Sequence, residues 1–154
     1  MYKIRHIKLL AVSDGHVTSA TKRINEPKDI AHIIKPLLLE ADREHCLVIM
    51  LKGKNRITAI NTVSIGTLTS SLVHPREVFK PAILTNAASI ILAHNHPSGD
   101  PMPSEDDLNI TSRLKAAGEL LGIPVLDHII IGYSYYSTES NKAYSFEDED
   151  EEGE

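Results

Sequence analysis

A chain of 154 residues is long enough for one domain with a substantial core, since proteins of this size bury roughly 70% of the surface their unfolded chains expose. Its single cysteine, Cys46, excludes an intrachain disulfide framework and any multi-cysteine zinc site, and is expected to be a small apolar core residue in a reducing compartment. The net charge of −5 arises at the end of the chain: seven of the 21 acidic residues lie in the last eight, leaving 16 basic against 14 acidic residues elsewhere, too even a balance for a strong basic field toward nucleic acid.

The opening MYKIRHIKLLAV places Lys3, Arg5 and Lys8 among apolar runs too short for a signal segment or a membrane span, so a soluble cytoplasmic protein with no membrane partner is expected. Residues 1–24 read as an N-terminal strand segment, one or two weakly patterned strands of the same domain. Pro27 suits a first helical turn, and Ile30, Ile33, Ile34, Leu37, Leu38 and Ala41 recur at helical spacing, which predicts an amphipathic helix. CLVIML, the turn KGKN and RITAINTVSIGTL predict a meander of strands, the second with Ile57, Ala59 and Val63 on one face. In HPREVFKPAILTNA, Pro75 is a plausible first helical residue and Pro81 is expected to interrupt or kink the helix.

SIILA predicts a short buried strand delivering His94 and His96, followed by a Pro- and Gly-rich loop. SEDDLNITSRLKAAGELLG predicts a helix with Leu108, Leu114, Ala117 and Leu121 inward and Gly122 as its C-terminal cap. IPVLDHIIIG supplies another strand, and YYSTES to AYSF a last one. No repeat or internal linker divides the chain, so residues 25–146 form the principal domain, and 147–154 an acidic tail expected to be solvated and disordered. Interleaved helices and strands predict an α/β architecture with a central sheet.

Side chains alternate faces along an extended segment, so His94 and His96 project to one side while Asn95 points away. Asp107 lies eleven residues beyond His96 and three beyond Ser104, in the first turn of the next helix. If the intervening loop folds back, two imidazoles and a carboxylate meet and leave a fourth tetrahedral position for water, the open arrangement of catalytic zinc. Ser104 to Asp107 is equally an S-x-x-D capping box, and Glu105, Asp106 and Asp107 all suit the positive end of a helix dipole. The helix alone favours the cap, but H-x-H ending a strand, a rigid loop and S-x-x-D opening a helix together favour a metal.

HNHPSGDPMPSEDD resembles the H-x-H, seven residues, S-x-x-D signature of the JAMM (JAB/MPN) metalloproteases, and more closely their RadC branch. The resemblance extends through GTLTSSLVHPREVFKPAILTNAASIILAHNHPSGDPMPSEDD and GIPVLDHIIIG, covering about Glu44 to Gly132. It implies an MPN (JAB/cytidine-deaminase-like) fold, a central mixed β-sheet flanked by helices. It also implies His94, His96 and Asp107 as ligands of one zinc ion per chain and Ser104 as the serine that stabilises the oxyanion. An upstream glutamate on a strand of the same sheet is the implied general base; Glu44 opens the strand after the first helix at about the family's distance from H-x-H. Glu77, in a helix nearer in sequence, is the competitor, and a surface salt bridge explains it. The implied reaction is metal-assisted hydrolysis of a peptide or isopeptide bond: zinc acidifies its water, Glu44 takes the proton and passes it to the leaving amine, and Ser104 polarises the oxyanion. His74, Arg76, Asp127 and His128 fall within the resemblance and could support the ligands or contact substrate, although ordinary roles are the stronger expectation: a helix-entry residue, a surface charge and a strand-end pair with a backbone partner.

Full-length RadC proteins carry a helix-hairpin-helix region ahead of this domain, and the sequence is expected to be a short form without it. A nucleic-acid partner is then suggested by family association alone. Two further readings stand beside the hydrolase. A metal-dependent nuclease or DNA-associated repair protein is disfavoured by the even charge and by an aromatic content of five tyrosines, two phenylalanines and no tryptophan; the tripeptide HNH is also not the spread-out motif of HNH nucleases. A non-catalytic MPN scaffold is disfavoured because the ligand set is intact. Manganese, iron or cobalt suit the same ligands, and neither substrate identity nor oligomeric state is legible.

Overall fold

The two most apolar stretches of the chain become neighbouring central strands, because only an interior strand buries both of its faces. In the computed structural model, which describes residues 1–38, 41–66 and 73–147, the elements run α1 (Pro27–Leu38), β1 (His45–Lys52), a 3₁₀ turn (Gly53–Asn55), β2 (Arg56–Ile65), α2 (Pro75–Leu84), β3 (Ser89–Asn95), α3 (Glu105–Leu121), β4 (Val125–Ile131), β5 (Tyr135–Ser137) and β6 (Lys142–Tyr144). They form one six-stranded sheet in the order β2-β1-β3-β4-β5-β6. Only β3 and β4 are parallel, joined through α3 as a βαβ unit; the other neighbours are antiparallel. The expected mixed α/β sheet flanked by helices is therefore present.

Both sheet faces are covered. Leu47, Ile49, Leu51, Ile91, Ala93, Ile129 and Ile131 pack with Ile30, Ile33 and Ile34 of α1, whereas Cys46, Val48, Met50, Ile90 and Leu92 pack with Val78, Phe79 and Ala82 of α2 and Ile110 and Leu114 of α3. Each such Ile or Leu contributes about 1.5–3 kcal/mol by leaving water. Cys46 is buried and unpaired, and burial pushes its thiol up to about 12, as befits a core residue.

Several expectations need correction. Residues 1–24 form no strand beyond a single antiparallel bridge between Arg23 and Arg56; Tyr2, Ile4, Ile7, Leu9 and Leu10 are exposed, and without a period of two they offer no face to bury. Helix α1 is described over Pro27–Leu38, and Ala41 is not helical. Ile57 does not share a face with Ala59 and Val63, which pack on the α2/α3 side while Ile57 packs on the α1 side; a register shift opposite Met50 and Leu51 adds one residue to β2 and flips the alternation. Helix α2 runs past Pro81 to Leu84, its last turn held by the Thr85 N–H and hydroxyl, which both donate to the Pro81 carbonyl.

Helix α3 is rotated from the expected face: Leu108 and Leu121 are 49% and 46% exposed, while Asp107, Ile110, Thr111, Leu114 and Gly118 are buried. Its inward stripe begins with two polar residues, which a search for apolar letters passes over. The Gly122 cap is left-handed as expected (φ 70°). The chain's last expected strand is a hairpin of two, β5 and β6. Residues 67–72, within the resemblance, and 148–154, nearly all of the expected acidic tail, lie outside the described residues. No helix among those described is long and apolar enough to cross a membrane.

Candidate metal centre

The centre forms where β1, β3, β4 and the start of α3 meet on the α2/α3 face. Along β3 the side chains of Ile90 and Leu92 enter that core, so the strand period delivers His94 and, just beyond the strand, His96 to the same side. Their Nε2 atoms lie 3.0 Å apart. Antiparallel pairing sets Cys46 opposite His94, and Glu44 lies two residues before Cys46, just ahead of β1. A carboxylate oxygen of Glu44 and a ring nitrogen of each histidine all lie within 4.8 Å of one another, a group able to hold a metal ion.

The loop between His96 and α3 folds back as the metal reading requires. Gly99 takes a positive φ of 90°, its carbonyl accepts from Tyr133 N–H at 2.7 Å, and a Cβ on Gly132 would collide with that carbonyl. These contacts pin the loop to the β4–β5 turn and return the chain so that α3 begins beside the histidines. Ser104 and Asp107 then form the predicted capping box: Asp107 N–H donates to Ser104 Oγ at 3.1 Å and Ser104 N–H to Asp107 Oδ2 at 2.9 Å.

The same carboxylate meets both imidazoles, with Asp107 Oδ1 at 3.2 Å from His94 Nε2 and Oδ2 at 3.0 Å from His96 Nε2. Capping and convergence on the histidines are thus simultaneous. The two Nε2 atoms stand 3.0 Å apart, and each lies 3.0–3.2 Å from one of the two Asp107 carboxylate oxygens, spacings that suit one ion, since ligands at roughly 2.0–2.1 Å from a tetrahedral zinc stand about 3.3 Å apart. Both Asp107 and Glu44 offer carboxylates to the pair of nitrogens.

The second nitrogen of each histidine is already committed. His96 Nδ1 is 2.7 Å from the Asp100 carbonyl, which can only accept, so Nδ1 carries a proton and, in the neutral ring, Nε2 is the bare nitrogen. His94, fully buried, contacts His128 Nε2 through Nδ1 at 2.7 Å, and His128 Nδ1 lies 2.6 Å from Thr111 Oγ1. Among the described residues no buried side-chain nitrogen or oxygen lacks a partner.

Protonation in the metal-free centre follows from these contacts. Burial opposes charge on Asp107, yet hydrogen bonds with His94 and His96 hold its carboxyl well below the usual carboxylate range. Burial likewise opposes the His96 imidazolium, but the bonds to Asp107 and the Asp100 carbonyl outweigh it and raise the pKa. His128 is held neutral, pushed well below its ordinary value by burial first and then by the charge of His94.

The sequence-predicted residues therefore divide cleanly. His94, His96, Asp107 and Glu44 converge, with Ser104 at the shared helix start. Glu77 stands apart, exposed on α2 and paired with Lys80 at 3.0 Å. Asp127 is a buried structural residue, accepting from the Ser137 hydroxyl at 2.6 Å and from the His128 and Glu139 N–H groups. His128 takes the less expected of its two roles: it is a buried contact of His94 rather than a strand-end residue with a backbone partner.

Sequence reasoning also passed over Asn95 and Thr111. The Asn95 side chain accepts from His45 N–H at 2.7 Å and donates to the Arg43 carbonyl at 3.1 Å, clamping the segment that carries Glu44. The available signals were a histidine inside the apolar run LDHIII, which cannot be buried without a partner, and a threonine one helical turn after Asp107.

A family model described as the RadC-like JAB domain matches residues 24–148. Curated relatives include UPF0758 proteins of Desulfitobacterium hafniense, 54% identical over 113 residues, of Rubrobacter xylanophilus, 51% identical over 114, and of Clostridium kluyveri, 56% identical over 110. The matched regions are 71–74% of this chain and 48–50% of each relative. The chain thus spans about half the length of the curated relatives it matches.

Proposed function

This chain belongs to the RadC-like JAB domain family, and from that membership and the convergence of His94, His96 and Asp107 beside Glu44 we propose that it is a metal-dependent peptidase or isopeptidase. The observation that carries the reading is two Nε2 atoms 3.0 Å apart, each 3.0–3.2 Å from an oxygen of the Asp107 carboxylate, with both histidine Nδ1 atoms engaged elsewhere. His94, His96 and Asp107 would hold zinc, one ion per chain. A bound zinc ion supplies Lewis acidity that makes water nucleophilic near neutral pH.

The remaining work falls to the chain itself. In this reading Glu44 takes the proton of the attacking water and returns it to the leaving amine, a role supported by its carboxylate lying within 4.8 Å of the histidine nitrogens. Ser104 uses its oxygen as an acceptor for the Asp107 N–H, and its hydroxyl proton is the donor for the developing oxyanion. The Asn95 clamp holds the Glu44 segment against β3, and the loop pinned at Gly99 holds the start of α3. A peptide or protein is the proposed substrate.

The test is elemental analysis of protein purified without chelator, run on the wild type and on Asp107→Ala and Glu44→Gln, followed by a screen of peptide and isopeptide substrates. About one zinc per chain in the wild type, lost in Asp107→Ala and retained in an inactive Glu44→Gln, is the expected result. Loss of zinc in Glu44→Gln would instead make Glu44 a ligand. A folded wild type that binds no metal after zinc is added back would overturn the reading and leave the helix cap as a sufficient account of Asp107.

A further inference from the structure

Thr111 and His128 have no part in the chemistry proposed above, yet they are buried together against it. The Thr111 hydroxyl lies 2.8 Å from the Asp107 carbonyl, one helical turn back. A carbonyl can only accept, so the hydroxyl proton is spent there and the Thr111 oxygen is left as an acceptor. His128 Nδ1, 2.6 Å away, must therefore carry a proton. In neutral imidazole one nitrogen is protonated and the other bare, so His128 Nε2 is the acceptor and His94 Nδ1, at 2.7 Å, the donor. In the neutral His94 ring Nε2 is then the bare nitrogen, on the side facing His96 and Asp107.

The direction of every hydrogen bond in this chain is fixed by the one group that cannot reverse, the Asp107 carbonyl. The residue supplying that carbonyl is the one whose carboxylate faces the same His94 ring. We infer that Thr111 and His128 are positioning residues that lock His94 into the tautomer able to bind a metal ion and tie its orientation to the first turn of α3. This rests on the metal reading of His94, His96 and Asp107. The relay works because it is short and dry: His128 is 2% and Thr111 6% exposed, so water cannot replace either partner.

The test compares Zn2+ affinity, by competition with a chromophoric chelator, and the Co2+ absorption spectrum for wild type, His128→Phe, His128→Gln and Thr111→Val, with the melting of each metal-free protein recorded alongside. His128→Phe removes the acceptor for His94 and is expected to weaken Zn2+ binding about 10- to 100-fold, the range found when partners of metal-bound histidines are lost. His128→Gln, which offers one acceptor and one donor, is expected to stay within about threefold of wild type, and Thr111→Val to fall between them with an altered Co2+ spectrum. If His128→Phe does not fold, the Thr111→Val and His128→Gln pair decides the matter. Folded variants with wild-type Zn2+ affinity and an unchanged Co2+ spectrum, or variants that melt lower but bind equally well, would assign the pair to packing and overturn the inference. A wild type that binds neither ion would overturn the metal reading itself and the inference with it.

Discussion

The central strands β3 and β4 present two different interiors on their two faces. Toward α1 they offer Ile91, Ala93, Ile129 and Ile131, packed on isoleucines. Toward α3 they start the same way, with Ile90 and Leu92, and then give way to His94, His128 and, from the helix, Asp107 and Thr111, all buried. The apolar face needs only volume and can exchange one contact for another. The polar end has no such freedom, because every buried donor and acceptor must be met in direction as well as distance. One face stabilises the fold; the other uses that stability to hold a constellation of groups that would not stay dehydrated on its own.

The widest separation between the faces is expected from Asp107→Asn. Its amide oxygen can still accept from Ser104 N–H and keep the cap, but its charge is gone; zinc affinity should fall by at least about 100-fold while helix content by circular dichroism stays unchanged. Ile129→Ala, on the α1 face, is expected to do the opposite. A cavity in a fully buried site should cost about 2–5 kcal/mol in urea unfolding and leave zinc affinity of the folded protein within about twofold.

Asn95→Ala tests the boundary, since this side chain comes from the opposite strand parity yet clamps Arg43 and His45 around Glu44. Zinc content should be retained, whereas kcat on a responsive substrate should drop about 10- to 100-fold as Glu44, the proposed base, loses its position. A proportional loss of zinc would show that Glu44 binds the ion.

The smallest effect is the pH dependence of the metal-free protein. His96 has a raised folded-state pKa, so its contribution is complete below the unfolded value of 6.5 and is lost as pH rises through the folded pKa. His128 has a lowered one; the unfolded chain takes up its proton first, so stability falls as pH drops below 6.5. Together these place the melting optimum of the metal-free protein near pH 6.5, with Asp107 adding a further loss only in strong acid. His128→Gln should flatten the acid limb above pH 5 and leave the alkaline limb in place, which thermal melts across pH would record.

The histidine pair was legible because a strand has a period of two, and Ser104 with Asp107 because a capping box is a local pattern. These features depend on neighbours in the chain, so composition and spacing expose them. The same locality misled where a tertiary contact intervened: the shift between β1 and β2 moved Ile57 to the other face, and the polar start of α3 turned Leu108 outward. Glu44 was reached by resemblance, and its geometric warrant is the register that sets Cys46 against His94, a pairing fifty residues apart that no local signal encodes.

The sequence by itself determined the strands and helices of the α/β domain, the delivery of His94 and His96 to one side, and the helix cap that presents Asp107. Tertiary structure alone decided that Thr111 and Asn95 belong around the centre and that His128 contacts His94, whereas Glu77 was already legible as half of a surface ion pair. The reason is physical: periodicity fixes which way a side chain faces along its own element, but a buried hydrogen bond fixes its meaning only when a second element supplies the partner.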